Sequence, residues 1–149
     1  MSTTRPPWGE SPWDARVAPV VAAVEPHTAP ETAERAARLA REIGTALAFV
    51  SVRPPLPAAP RRESEQRLSR DLLSGRTALD TALAAAAKHG VMAYGEIVEG
   101  DPATEILEFA THRNAPVLVV GQRGRTAEQS VSRQVIARSR RPVVVATEG

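Results

Sequence analysis

The chain has 149 residues, which suits one domain with a substantial buried core. Its 19 basic and 17 acidic residues leave a net charge of +2, which is too small to favour nucleic acid as a partner. The absence of cysteine excludes disulfides, thiolate metal sites and cysteine nucleophiles. No apolar run is long enough to span a membrane or to serve as the core of a signal peptide, so we expect a cytoplasmic protein without membrane contact.

The first 16 residues differ from the rest in composition. They are rich in proline, have no hydrophobic periodicity and contain both tryptophans of the chain, Trp8 and Trp13. This composition predicts a disordered or loosely docked tail before a domain that spans residues 17–149. A second interpretation stays open, in which the tryptophans bind an apolar patch of the domain or of a partner.

Five short apolar runs follow in chain order, and most are apolar at nearly every position. Such runs are typical of strands that are covered on both faces, as in a parallel sheet packed between helices. The third run is more mixed in polarity, which predicts a position near the edge of the sheet. The runs cover residues 17–24, 46–52, 91–98, 117–120 and 143–146.

Four helices are predicted between these strands. The first has Thr28 and Glu31 at capping-box spacing, Gly44 at its end and an apolar face that includes Ile43. The second is predicted over residues 65–88, with Leu72 on its apolar face and a weak point at residues 74–75. The third begins at Asp101 and Pro102, and the fourth begins near Ser130.

This alternation predicts an α/β fold, a Rossmann-like, doubly wound five-stranded parallel sheet with helices on both faces. With the first strand at the centre, the strand order is 3-2-1-4-5. The loops after the first and fourth strands, residues 25–28 and 121–130, then face each other across one crevice at the carboxyl ends of the strands. Sheets of this kind bind ligands there.

Four passages of the body resemble the universal stress protein A family. They are VEGDPATEIL at residues 98–107, VVGQRGR at 119–125, SVS at 130–132 and RPVVV at 141–145. Each is weak alone, and their order and spacing carry the resemblance. It implies a homodimer joined through the last strand and, in one branch of the family, a bound ATP.

The nucleotide motif of that branch is only partly present. Gly121 and Gly124 match its first half, and Ser130 aligns with its hydroxyl residue. The loop between them is five residues shorter than the motif, which removes on the order of 16 Å of extended reach. Gln129 stands where the motif has glycine, so a Cβ occupies space in which backbone N–H groups would approach a phosphate. ATP is therefore a possible but not a firm cofactor.

The charge at the crevice also argues against tight binding of ATP. Glu25 stands where the nucleotide branch has aspartate, and Glu25 and Glu128 would repel an anionic tail, with partial compensation from Arg123 and Arg125. Adenine and ribose still have space near the second strand. The candidate crevice comprises Glu25, Val52, Gly121, Gly124, Ser130, Val131 and Ser132.

Two functions from different classes follow. The first is a stress-response regulatory or binding module without tight ATP binding, a homodimer that contacts protein partners of unknown identity. The second is an adenine-nucleotide-binding protein with slow hydrolysis. A related electron-transfer or adenine-cofactor subunit is a third interpretation. The dimer is predicted to form through the uncharged last strand, at Val143, Val144 and Val145.

No catalytic residue and no metal site is predicted. Of the three histidines only His27 falls near the crevice, and it has no evident catalytic partner. The C-terminal arginines are interpreted as the solvated face and last turn of the fourth helix. They are Arg133, Arg138, Arg140 and Arg141.

Overall fold

The computed structural model describes residues 18–122 and 131–147. The predicted tail, with Trp8 and Trp13, lies outside these residues. Strands and helices alternate along the chain as predicted. They are β1 (Val20–Ala23), α1 (Ala29–Ile43), β2 (Leu47–Arg53), α2 (Arg61–Lys88), β3 (Ala93–Glu99), α3 (Pro102–His112), β4 (Leu118–Gly121), α4 (Val131–Arg138) and β5 (Val143–Ala146).

The strands form one parallel sheet in the order β3-β2-β1-β4-β5, which confirms the predicted order 3-2-1-4-5. In the register of the sheet, Val21 of β1 lies between Ala48 of β2 and Leu118 of β4. β1 is shorter than predicted because it begins only after Pro19, which has no N–H to donate to the ladder. β3 lies at an edge, as its mixed polarity predicted.

Helices cover both faces of this sheet. Val20, Ala22 and Phe49 belong to the buried cluster beneath α1 and α2, whereas Val21 and Val50 belong to the cluster beneath α3 and α4. Because successive side chains of a strand point to opposite faces, strands buried on both sides must be apolar at every position. The doubly wound architecture is therefore confirmed.

α1 lies close to the sheet through four fully buried alanines and ends at Gly44, whose φ of 83° suits glycine. Ile43 was predicted to belong to the buried face, and this is wrong: its side chain is 46% exposed. Thr32, eleven residues before it and so on the same side of the helix, packs beside Gly121 of β4. Ile43 is the last residue of α1, a helix that contacts both β4 and β5.

The predicted capping box at the start of α1 is also wrong. Thr28 is the N-cap residue, but its side chain makes no capping hydrogen bond. Its Oγ1 lies beside the backbone of Gly121, as described below for the site. Packing against β4 therefore replaces the local hydrogen bond that the sequence pattern suggested.

α2 is much longer than the strands that it covers. Its 28 residues span roughly 42 Å, whereas the seven residues of β3 span roughly 23 Å. Its buried positions begin only at Gly75, so its first turns extend beyond the sheet. Leu72, which the sequence places on the apolar face, is 41% exposed. The predicted weak point is not a break: a Cβ on Gly75 would lie 3.2 Å from Ile97 Cδ1, so the glycine allows the helix to approach β3.

None of the helices within residues 18–122 and 131–147 combines the length and the apolarity needed to cross a bilayer.

One of the C-terminal arginines has a structural role that the sequence did not reveal. Arg141 is half-buried, and its Nη1 donates to the carbonyl oxygens of Ala110 (2.8 Å) and Ala115 (3.0 Å) at the end of α3. The interpretation of this residue as solvated is therefore wrong. Arg138 also reaches α3, where its Nη2 donates to Thr104 Oγ1 at 3.1 Å.

Candidate functional site

A crevice opens at the carboxyl ends of β1 and β4, where the order of the strands reverses. Its volume is about 100 Å³, below the few hundred Å³ that are usual for pockets of drug-sized ligands. Most of its lining is apolar and comes from three strands and α3. These residues are Ala23, Val24, Val50, Val52, Ile106 and Val120.

The turn from β1 to α1 forms one wall, and its backbone donors are already used. The carbonyl of Glu25 accepts hydrogen bonds from the N–H groups of Thr28 (3.1 Å) and Ala29 (2.8 Å). Pro30 has no N–H, and the N–H of Thr32 donates to Thr28 O at 3.0 Å. A helix N-terminus binds anions through its free N–H groups, and in the first turn of α1 most of these groups are bonded within the protein or absent.

Gly121 closes the bottom of the crevice at the end of β4. A Cβ atom on Gly121 would lie 2.5 Å from Thr32 Oγ1 and 2.7 Å from both Cβ and Oγ1 of Thr28. Only glycine therefore fits between β4 and α1 at this point. Thr32 is fully buried, and its Oγ1 has no hydrogen-bond partner in the described part of the protein.

The N-terminus of α3 reaches the crevice through Pro102 and is capped by Asp101. Asp101 Oδ2 accepts hydrogen bonds from Thr104 Oγ1 (2.8 Å) and Thr104 N (3.1 Å), and Arg138 Nη1 lies 4.0 Å away. These two hydrogen bonds, with a smaller contribution from Arg138, lower the pKa of Asp101. The first turn of α3 therefore carries a carboxylate of its own at the position that an external anion would take.

Five of the seven predicted site residues line the crevice together: Glu25, Val52, Gly121, Val131 and Ser132. The other two, Gly124 and Ser130, lie outside the described residues, as do Arg123, Arg125, Glu128 and Gln129. His27 is exposed and does not contribute to the described lining.

Thr28 lies in the loop that was predicted to face the crevice, whereas the contribution of Pro102 and Ile106 to the lining was not predicted from the sequence. The signal for Pro102 was present, because Asp101 and Pro102 mark a helix start directly after a strand. In a parallel sheet every such start lies at the same edge as the crevice. α3 packs mainly over β2 and contacts both β1 and β3, and this placement depended on the packing of the whole face.

Charge is sparse in this crevice. Among the lining residues in the described part of the chain, Glu25 is the single ionisable one. No group of three histidine or acidic side chains in residues 18–122 and 131–147 is placed to hold a metal ion. The described lining thus combines an apolar floor, one carboxylate and the hydroxyl groups of Thr28 and Ser132.

These features define a doubly wound α/β protein with a ligand-type crevice at its topological switch point. A family model described as "Universal stress protein family" matches residues 17–147. The chain is also 35% identical over 127 residues to Universal stress protein MJ0531 of Methanocaldococcus jannaschii, an alignment that covers 77% of this chain and 72% of the relative. The chain therefore belongs to the universal stress protein family.

Solved structures share the fold. A universal stress protein from Archaeoglobus fulgidus is 26% identical, with a TM-score of 0.69 over 86% of this chain and 97% of that chain. A universal stress protein from the same organism, solved in complex with dAMP, is 23% identical, with a TM-score of 0.69 over 86% of this chain and 96% of that chain.

Proposed function

We propose that this universal stress protein is a stress-response regulatory and binding module, which acts as a homodimer through β5 and does not bind ATP tightly. The observation that carries the proposal is the placement of backbone N–H groups. Those at the starts of α1 and α3 are largely bonded within the protein, whereas those on the outer side of β5 point away from the sheet.

At the crevice, a triphosphate would need several N–H donors or cations. α1 has its first N–H groups bonded to Glu25 and Thr28, and α3 is capped by its own Asp101. The sequence adds that the loop before α4 is five residues shorter than the nucleotide motif and has Gln129 in place of glycine. Tight binding of the β- and γ-phosphates is therefore unfavourable.

At β5, the hydrogen bonds to β4 indicate which backbone groups of the strand are left to pair with a further strand. Leu118 N donates to Pro142 O (3.0 Å), and Gln122 N donates to Ala146 O (3.2 Å). Backbone groups of a parallel strand alternate between its two neighbours, so Val143 and Val145 direct their N–H and C=O groups away from β4. β5 carries no charged side chain that would discourage pairing with another strand.

Exposed apolar side chains lie on the two helices that contact β5, one helix on each face of the sheet. Ile43, 46% exposed, is the last residue of α1, which contacts β5. Ile136, 50% exposed, lies on α4, about 200° around the helix from Arg138, which contacts α3. A second copy related by a twofold axis would cover both isoleucines while its β5 extends the sheet.

Light scattering on the full chain at micromolar concentration tests the dimer. We expect a mass of twice the 15.9 kDa of one chain. A mass of one chain at every concentration would contradict the proposal. The cytoplasmic location expected from the sequence stays a prediction.

The second candidate function is binding of an adenine nucleotide. The apolar crevice at the switch point favours it, as does the complex of the Archaeoglobus fulgidus relative with dAMP. A monophosphate requires fewer N–H donors than ATP and suits this crevice better. We propose binding without catalysis, because the described lining offers Glu25 but no second ionisable group to form an acid–base pair.

A further inference from the structure

We propose that the loop between β2 and α2 is a docking segment for a partner protein whose groove is lined with aromatic side chains and flanked by carboxylates. This loop, the proline segment, comprises residues 54–60 with the sequence PPLPAAP. The inference goes beyond the proposed function, because it assigns a surface to a partner other than a second copy. Four features carry it: the spacing of the prolines, their exposure, the unbonded backbone and the charge of the adjoining helix.

The sequence of the proline segment restricts its backbone to extended conformations. Proline fixes its own φ at about −65°, and a residue that precedes proline is kept out of the α-helical region. Every residue of the segment except Ala58 is a proline or directly precedes one. The chain bends at Ala58, whereas Pro60 has a φ of −53° and a ψ of 146°, close to polyproline II. The segment is therefore pre-organised for partners that recognise this conformation.

The prolines before the bend form an exposed apolar surface. Polyproline II repeats every three residues, so in this conformation Pro54 and Pro57 share one edge and Pro55 lies on the next. All three prolines are exposed. Leu56, on the third edge, is half-buried and lines a hollow against the first turns of α2. Leu56 thus anchors the segment while the proline rings stay available to a partner.

The backbone of the proline segment is available as well. From Pro54 to Ala58 no backbone group makes a hydrogen bond with any described residue. The segment is held at its end, where Ser64 N donates to Pro60 O (3.0 Å) and Ser64 Oγ donates to Ala59 O (3.4 Å). Tryptophan and tyrosine side chains in the groove of a partner would donate to the unbonded carbonyl groups and cover the proline rings.

The adjoining helix supplies positive charge. Arg67 and Arg70 of α2 line the hollow beside Leu56, together with Glu63. Neither arginine forms an ion pair within the part of the chain that the structure describes. Because two cations face one carboxylate, the surface beside the segment has an excess of positive charge. Carboxylates next to the groove of the partner would complement it.

NMR titration of polyproline-binding modules with the full chain tests the proposal. The probes are isotope-labelled SH3, WW and EVH1 modules, whose grooves are lined with aromatic side chains. We expect the full chain to shift the groove resonances of at least one module, and an excess of a synthetic peptide of residues 53–60 to reverse the shift. Unperturbed grooves in all the modules would overturn the inference, as would a shift that the peptide does not reverse.

The double variant Pro54→Ala with Pro57→Ala tests the exposed edge. We expect it to bind the module about tenfold more weakly, because alanine loosens the backbone and removes ring surface. Pro116→Ala is the control, since Pro116 is exposed and lies before β4, at the opposite end of the sheet from the proline segment. An undiminished affinity of the double variant, or an equal loss in Pro116→Ala, would overturn the inference.

The double variant Arg67→Gln with Arg70→Gln tests the charge beside the segment. We expect its affinity for the module to fall by about threefold to tenfold and to depend less on salt. Arg35→Gln with Arg38→Gln is the matched control, because it removes the same charge from exposed positions of α1. An equal fall in both double variants would contradict the role assigned to α2.

Light scattering separates the inference from the proposed function. We expect the proline double variant to keep the mass of the unmodified protein. A fall to the mass of one chain would assign the prolines to the contact between copies and overturn the inference. A dimer that binds none of the modules would end the inference and leave the proposed function standing, whereas a monomer that binds one would contradict the proposed dimer alone.

Discussion

The crevice lies at the carboxyl ends of the strands and the β5 edge runs along the side of the last strand, and their backbone donors are arranged differently. At the crevice, Thr28 N and Ala29 N are bonded to Glu25 O, and Thr104 N is bonded to Asp101. At the β5 edge, the alternation of the ladder directs the N–H groups of Val143 and Val145 away from β4. The same fold therefore restricts one binding surface while it leaves another available.

The opposite edge of the sheet differs from β5 in its charged side chains. β3 is also an edge strand, but Glu96 is paired with Arg113, and Arg113 Nε donates to the hydroxyl of Tyr94 at 3.0 Å. Glu99 of the same strand forms an ion pair with Arg53 at 3.1 Å. Charged side chains discourage pairing with another strand, so we expect self-association through β5 and not through β3.

Val145→Pro is expected to have the largest effect. Proline removes an N–H that points away from β4, so the β4–β5 ladder keeps its bonds while pairing with a second copy is lost. Light scattering is expected to give the mass of one chain where the unmodified protein gives two.

Ala93→Pro is the matched control at the other edge. Leu47 N donates to Met92 O, and the same alternation directs the N–H of Ala93 away from β2. We expect this variant to remain a dimer. Dissociation of both variants, or of neither, would contradict the difference between the two edges.

Gly121→Ala tests how tightly the bottom of the crevice is packed. The new Cβ would lie 2.5 Å from Thr32 Oγ1, so we expect the free energy of unfolding to fall by about 1–3 kcal/mol. Urea denaturation measures the change. The double variant with Thr32→Ala should recover part of the loss, since the closest atom is removed. A single variant as stable as the unmodified protein would contradict the close approach of β4 and α1.

Asp101→Ala tests the cap that closes α3. The pKa of Asp101 is lowered in the folded state, so its stabilisation is complete above the unfolded pKa and is lost as the pH falls through the folded pKa. We expect the variant to have a lower Tm than the unmodified protein at neutral pH. The difference in Tm between the two proteins should become smaller as the pH falls below about 4. A gap that stays constant in thermal denaturation from neutral pH to strongly acidic pH would contradict this cap.

Thr32→Val is expected to have the smallest effect. The hydroxyl of Thr32 is buried without a partner in the described residues, so replacing it with a methyl group should leave the free energy of unfolding unchanged or raise it by up to about 1 kcal/mol. Thr104→Val is the control with the opposite sign, because Thr104 Oγ1 bonds to Asp101 at 2.8 Å. Marked destabilisation by Thr32→Val in urea would indicate a partner for this hydroxyl.

The architecture could be predicted from the sequence because its determinants are local. Runs apolar at every position, such as Leu118–Gly121, identify buried parallel strands, and Gly44 and Asp101 mark helix ends through their own backbone and side-chain chemistry. Strand order then followed from the few topologies that right-handed crossovers allow.

The errors have a common origin in contacts between distant segments. Thr28 packs against Gly121 instead of capping its own helix, and Arg141 bonds to carbonyls of α3 some thirty positions earlier in the chain. Ile43 keeps helical spacing but is the last residue of α1 and is 46% exposed. Of the crevice, the strand ends were predictable from topology, whereas the contribution of Ile106 depended on how α3 packs across the sheet.

The central claim is that the protein recognises its partner copy through the β5 edge and that the crevice does not bind a triphosphate tightly. Calorimetric titration of the unmodified protein with ATP and Mg²⁺ tests this claim most directly. We predict a dissociation constant weaker than about 10 μM. A constant tighter than that value would contradict it.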